Sequence, residues 1–183
     1  MNIPPDSRAP VPPGDFLSQI PNLFQHDAWR LETLDEYDSP QTRERVARFA
    51  AGEPVDPRPR EHWLAMIRAA KAAGRTVGRV HILGPINDYL RYEIACYEQN
   101  AACGEDVRLM TRARAAPLGL PEFDFWLFDG QTVAVMKYGE RGALLGAEFV
   151  TDRRFAAQCR RWRDIATSNA VPLSDYQAGR TAA

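Results

Sequence analysis

The sequence predicts an α/β domain: a mixed, mostly antiparallel sheet with a βαβ unit, flanked by helices and preceded by a helical N-terminal section. Three observations carry that expectation. A β-rich run from Val77 to Leu83 stops at Gly84-Pro85 and is followed by a helical pattern and a second short strand, the order of a βαβ crossover. Two further β-rich runs flank Asp129-Gly130-Gln131, a hairpin signal because Asp-Gly tolerates positive φ. The chain has 183 residues, 45% apolar and 26% charged, enough for one domain with its own core.

The elements follow in order. Six of the 14 prolines fall at Pro4, Pro5, Pro10, Pro12, Pro13 and Pro21, so residues 1–14 read as a disordered, proline-rich lead-in. A short helix across Phe16, Ile20 and Phe24 comes next. From Trp29 to Leu34, Trp29, Leu31 and Thr33 alternate with Arg30 and Glu32, the pattern of a half-buried strand, with a short helix left open as the alternative. Ser39-Pro40 opens a helix with a buried stripe of Val46, Phe49 and Ala50, stopped at Gly52. A second helix carries Trp63, Ile67 and Ala70 and ends at Gly74.

After the strand at 77–83, Asn87 or Asp88 caps a helix with Leu90, Ile94, Tyr97 and Ala101 on one face, and a strand at 107–111 follows the Gly104 turn. The run Phe123 to Phe128 is apolar on both sides apart from Asp124, as expected of a central strand covered on both faces. Strands at 132–138 and 144–150 extend the sheet. Asp152 then caps a last helix with Phe155, Cys159, Trp162 and Ala166 inward. The domain spans 15–176, with 177–183 as a frayed tail.

Composition excludes several classes of function. A formal net charge of -1 gives no global grip on nucleic acid or anionic lipid. The arginines at 160, 161 and 163 straddle Trp162 and read as a solvated helix face. Cys96, Cys103 and Cys159 form no CxxC pair and have no histidine at metal-ligand spacing, so neither a disulfide framework nor a metal site is expected. The N-terminus has no basic stretch followed by an apolar run, and no window has the length of a membrane span; a cytoplasmic protein is expected. GxGxxG, GxxxxGK[ST] and GxSxG are absent, and no cofactor is expected.

Candidate site residues come from charges set among apolar neighbours. His81, on the strand before Gly84-Pro85, reads either as a general base at a strand's carboxyl end or as a half-buried imidazole bonded to a neighbour. Arg91 and Glu93, in Asp88-Tyr89-Leu90-Arg91-Tyr92-Glu93, offer a guanidinium fork and a carboxylate at the same edge; the alternative is that they tie this helix to Arg30-Leu31-Glu32 by ion pairs. Asp124, a carboxylate among large aromatics, must be partnered or have its pKa raised, and pairing with an arginine is the structural expectation.

Several of these segments together resemble a known family. Arg30-Leu31-Glu32 with Tyr37, Arg79-Val80, Pro85 before Asp88 to Glu93, Asn100 with Gly104 to Arg108, and Asp124 to Asp129 are similar to the actinobacterial domain of unknown function 6879. Its members are often encoded beside helix-turn-helix regulators, which implies regulatory work. The element order also resembles the phospholipase D-like fold, whose active members carry His-x-Lys-x4-Asp. Counted back from Asp129, the histidine and lysine positions hold Glu122 and Asp124; counted from His81, they lead to Leu83 and Asp88. The nucleophile and the phosphate-binding cation of that chemistry are therefore never both present.

The expected function is a non-enzymatic regulatory module that binds a protein partner or small ligand through His81, Arg91, Glu93, Arg30, Glu32 and Asp124. The alternative is a small enzyme of specialised metabolism using His81, Asp124 or Glu93 as acid and base. Neither membrane association nor direct nucleic-acid contact is expected, and the oligomeric state is left open.

Overall fold

Among the described residues, apolar patterning and glycine stops produce seven strands joined in one mixed sheet. The computed structural model describes residues 10–181. The strands are β1 (Asp27–Glu32), β2 (Thr76–Leu83), β3 (Asp106–Thr111), β4 (Phe125–Phe128), β5 (Thr132–Tyr138), β6 (Leu144–Val150) and β7 (Val171–Pro172), in the spatial order β6-β5-β4-β1-β2-β3-β7. β1 and β3 each pair in parallel with β2, and the other neighbours are antiparallel.

Among the described residues seven α-helices accompany the strands: α1 (Pro13–Gln19), α2 (Pro40–Ala50), α3 (Glu61–Ala72), α4 (Asp88–Cys103), α5 (Arg112–Ala115), α6 (Arg153–Asn169) and α7 (Leu173–Thr181). Their starts follow local chemistry. Ser39 accepts from Thr42 N (3.0 Å), Asn87 from Leu90 N (2.7 Å) and Asp152 from Phe155 N (2.6 Å), each cap contributing about 1 kcal/mol. Gly104, at φ +116°, ends α4 because a left-handed residue there closes the last turn without a Cβ clash.

The two faces of the sheet are covered differently. α6 and the short α5 lie on one face, where Phe155, Cys159, Trp162 and Ala166, with Ala115, pack on Trp29, Phe125 and Val133. The Trp162 indole donates to Gly119 O at 3.0 Å, so its polar atom is satisfied inside the core. On the other face, Phe16, Ile20 and Ala70 from the N-terminal section and α3 pack on Trp126 and Phe128, while α4 and α7 pack on Leu83, Val107 and Leu109. Those two apolar clusters on one face are separated by a polar seam.

Several local expectations need correction. The strand at 29–34 starts at Asp27 and is central, paired on both edges, so Glu32 is 1% exposed instead of facing solvent. Val46, Phe49 and Ala50 do not form a buried stripe, since α2 has no buried residue and meets α4 only along one side. Residues 1–9 of the expected lead-in lie outside the described residues, but Val11 exchanges backbone hydrogen bonds with Ala147 (2.7 and 3.0 Å) and α1 begins at Pro13. Residues 177–181 of the expected tail continue α7; 182–183 lie outside the described residues.

Candidate functional site

The seam begins in strand geometry. Arg30 and Glu32 alternate with Leu31 and therefore point to the face opposite α6; Arg79 and His81 alternate with Val80 and do the same. Parallel register then sets Arg30 beside Arg79 and Glu32 beside His81. Four polar side chains consequently share one patch of sheet under α4.

Their partners complete a buried network. Arg79, 3% exposed, donates to Glu105 Oε1 and Oε2 (2.7 and 3.1 Å) and to Glu32 Oε2 (3.0 Å), and its guanidinium lies 4.6 Å from the Tyr97 ring centroid. Burial opposes the Arg79 charge, but Glu105 outweighs it and holds the guanidinium above its ordinary pKa. Asn100 donates to Glu105 (2.7 Å) and accepts from Arg60 (2.5 Å), tying α4 to the turn before α3. Arg30 pairs with Glu32 and stacks over Trp126 at 5.3 Å.

His81 is sealed within the same network. It has no exposed surface, its Nε2 lies 2.8 Å from Leu34 O, and its Nδ1 lies 2.8 Å from the Tyr97 hydroxyl. A carbonyl can only accept, so Nε2 carries the hydrogen and Nδ1 presents a lone pair. Burial lowers the His81 pKa to about 4, which makes the ring neutral at pH 7.

Asp124 is saturated in a different way. One oxygen accepts from Thr33 N and Thr33 Oγ1 (2.8 and 2.7 Å), the other from the hydroxyls of Tyr37 and Tyr138 (2.5 and 3.0 Å). No arginine is among these partners, contrary to the expected ion pair; four neutral donors satisfy the carboxylate instead. Burial, and then the charge of Asp124, push the pKa of Tyr37 and Tyr138 up, so both phenols keep their hydrogens.

Above the seam, at the carboxyl end of β1 and beside the start of β4, lies a cleft of about 330 Å³. That is the edge at which open α/β sheets place ligands, and the volume is at the small end for such sites. Arg30, Glu32, Glu93 and Asp124 line it with Tyr37 and Tyr89. Larger concavities exist, but they are more open and gather none of these side chains.

The six candidate residues thus divide into three groups. Arg30, Glu32, Glu93 and Asp124 come together at the cleft. His81 lies buried beside it, bonded through both nitrogens. Arg91 is exposed and pairs with Asp88 one turn back (3.3 Å), so neither Arg91 nor Glu93 ties α4 to β1 by an ion pair.

Sequence reasoning missed Tyr37, Tyr97, Tyr138, Arg79 and Glu105 as members of the site. The signal for Arg79 was its alternation with Val80 next to His81 inside a β-rich run, a charge where a central strand has none to spare. No group of three or more His, Cys, Asp or Glu side chains among the described residues is arranged to hold a metal ion. None of the helices described is long and apolar enough to cross a membrane.

Asp129, the one position retained from the phosphodiesterase motif counted through Glu122 and Asp124, stands at the opposite end of β4 from Asp124. Its carboxylate accepts from the backbone N–H groups of Gln25, His26 and Asp27 (2.8, 2.8 and 2.9 Å) and so anchors the entry to β1. A family model described as a domain of unknown function (DUF6879) matches residues 15–178, and the chain belongs to that family. Among curated proteins none matches it.

Proposed function

We propose that this member of the family is a non-enzymatic, cytoplasmic regulatory module that binds a small ligand or a partner group in the cleft above Arg30, Glu93 and Asp124. One observation carries the reading: the groups suited to acid–base work are occupied by the fold, whereas the cleft beside them is open. His81 uses both nitrogens, and Asp124 accepts four hydrogen bonds. A general base needs a free lone pair within reach of a substrate proton, and neither residue offers one. The phospholipase D-like resemblance enters in the same sense: with Glu122 and Asp124 at the histidine and lysine positions, such a framework would sense instead of cleave.

A second reading, a small enzyme, rests on Glu93 alone, whose carboxylate makes no hydrogen bond or ion pair with any described residue. Incubation of the purified protein with a small-molecule extract, followed by mass analysis of bound and free fractions, separates the two. The binding reading expects a compound retained at unchanged mass. Conversion of an extract component, abolished by Glu93→Gln, would establish the enzyme instead.

A further inference from the structure

We infer that the cleft takes a small organic cation, its ammonium or guanidinium group held by Glu93 against the rings of Tyr37, Tyr89 and Tyr138. The inference rests on the cleft being a binding site and adds the chemistry of its ligand. The charge inventory comes first. Four carboxylates line the cleft, those of Glu32, Asp38, Glu93 and Asp124, against the single guanidinium of Arg30. Arg30 pairs with Glu32, which Arg79 also binds, and Asp38 pairs with Arg43 and Arg141 from outside. Asp124 has only uncharged donors, and Glu93 has no hydrogen-bonding or ion-pairing partner among the described residues. Two negative charges are therefore left without a cation, in a cleft where half-burial makes such an excess costly.

The aromatic groups give the second, independent argument. Tyr89 and Glu93 are one turn apart on α4, so ring and carboxylate share a helix face. Tyr37 lies between Tyr89 and Tyr138, with ring centroids 6.2 and 5.4 Å away and planes tilted by 55° and 59°. The hydroxyls of Tyr37 and Tyr138 are pinned on Asp124, which positions the two rings before any ligand arrives. Tilted aromatic faces beside an unpaired carboxylate are the arrangement that attracts a cation through both ring quadrupole and charge. A third sign is Asp38: its side chain is 6% exposed, it belongs to the cleft wall, and its Oδ1 has no hydrogen-bond partner among the described residues. An ammonium donor would answer that lack as well. The volume of about 330 Å³ suits a small molecule and not a folded partner's loop.

The test uses the full chain and four probes: choline, its uncharged isostere 3,3-dimethylbutan-1-ol, the anion 3,3-dimethylbutanoate, and a lysine-containing tripeptide. Binding is followed by calorimetry and by the Trp126 indole NMR signal. Choline is expected to saturate the site at least about tenfold more tightly than the alcohol, and Glu93→Gln, verified as folded by its melting temperature, to remove about that factor. Tyr89→Leu should weaken choline with little change for the alcohol. Equal affinity for choline and alcohol, or an unchanged affinity in Glu93→Gln, overturns the inference. Preference for the anion overturns the cation while leaving the cleft as a binding site; silence from all four probes overturns both. A tripeptide that outcompetes choline transfers the cation to a partner's side chain and overturns the small-molecule form.

Discussion

The Tyr97 hydroxyl stands between His81 Nδ1 at 2.8 Å and Glu32 Oε2 at 2.9 Å, one hydrogen facing two acceptors. Because Nε2 is committed to Leu34 O, the imidazole has no second hydrogen to contribute. The phenol thus serves both groups, and α4 is joined to β1 and β2 through a single atom. Tyr97→Phe leaves buried Nδ1 without a donor and the Glu32 oxygen with Arg79 alone. A loss of about 2–4 kcal/mol in urea unfolding is expected, with the secondary structure unchanged by circular dichroism. A loss below 1 kcal/mol would show that water replaces the hydroxyl.

Acid sensitivity follows from the same imidazole. The folded pKa of about 4 lies below the ordinary 6.5, so between those values the unfolded chain binds the extra proton. Stability from the neutral ring is complete above pH 6.5 and is lost as pH falls toward 4, by roughly 3 kcal/mol in all. Urea unfolding at pH 7 and pH 5 should show this slope in the wild type and a flatter one in His81→Gln. Parallel slopes for the two proteins would refute it.

Asp124→Asn tests the saturated carboxylate. The amide keeps one acceptor oxygen for Thr33 but turns an NH₂ toward the Tyr37 and Tyr138 hydroxyls, whose hydrogens then lack an acceptor. A cost of about 2–4 kcal/mol is expected, since hydrogen bonds to a charged group contribute about 1.5–3 kcal/mol each. The tyrosine ring signals in NMR should broaden as the rings lose their anchor; sharp, unshifted signals would argue against a positioning role.

Gly142 explains why the loop after β5 can close on the cleft. Its φ is +77°, and a Cβ there would stand 2.1 Å from the Glu36 carbonyl oxygen, which is backbone and cannot swing aside. Gly142→Ala should destabilise the fold by about 2 kcal/mol or more and alter the surroundings of Tyr37, next to Glu36 in the chain. Gly119→Ala is the control: φ is +63°, but open space surrounds it, so only the conformational cost of about 1 kcal/mol applies.

Glu93 and Arg91, two residues apart on α4, should behave differently from the buried groups. Arg91 and Asp88 form an exposed pair, so Arg91→Ala should change stability by less than about 0.5 kcal/mol and leave cleft binding intact. Glu93→Gln should keep or slightly raise the melting temperature, because it removes a carboxylate that no described residue bonds, yet it should impair binding. A marked fall in melting temperature for Glu93→Gln would assign that carboxylate to the fold.

Much of the architecture could be read before folding because its causes are local. Asn87, Ser39 and Asp152 each cap a helix by accepting from the backbone N–H three residues on, and Asp129-Gly130 turns the hairpin through two successive positive φ angles. Alternation also assigned Arg30 and Glu32 to one side of their strand. It misjudged what that side meets, because a strand's neighbours are chosen by distant segments. Val46 and Phe49 failed in the opposite direction: a correct helical stripe, but on a helix that the sheet does not bury.

By itself the sequence determined the types of the longer elements, their caps, strand parity and the short list of charged residues worth following; it left β1 open between strand and helix and read none of α5, β7 and α7. Only the tertiary structure decided which of them meet. Parallel register between β1 and β2 laid Arg30 beside Arg79 and Glu32 beside His81, and the loop after β1 returned Tyr37 to Asp124, 87 positions further along the chain. Periodicity fixes the direction of a side chain relative to its own backbone. Register, sheet order and loop closure fix its neighbours, and these depend on the packing free energy of the whole domain.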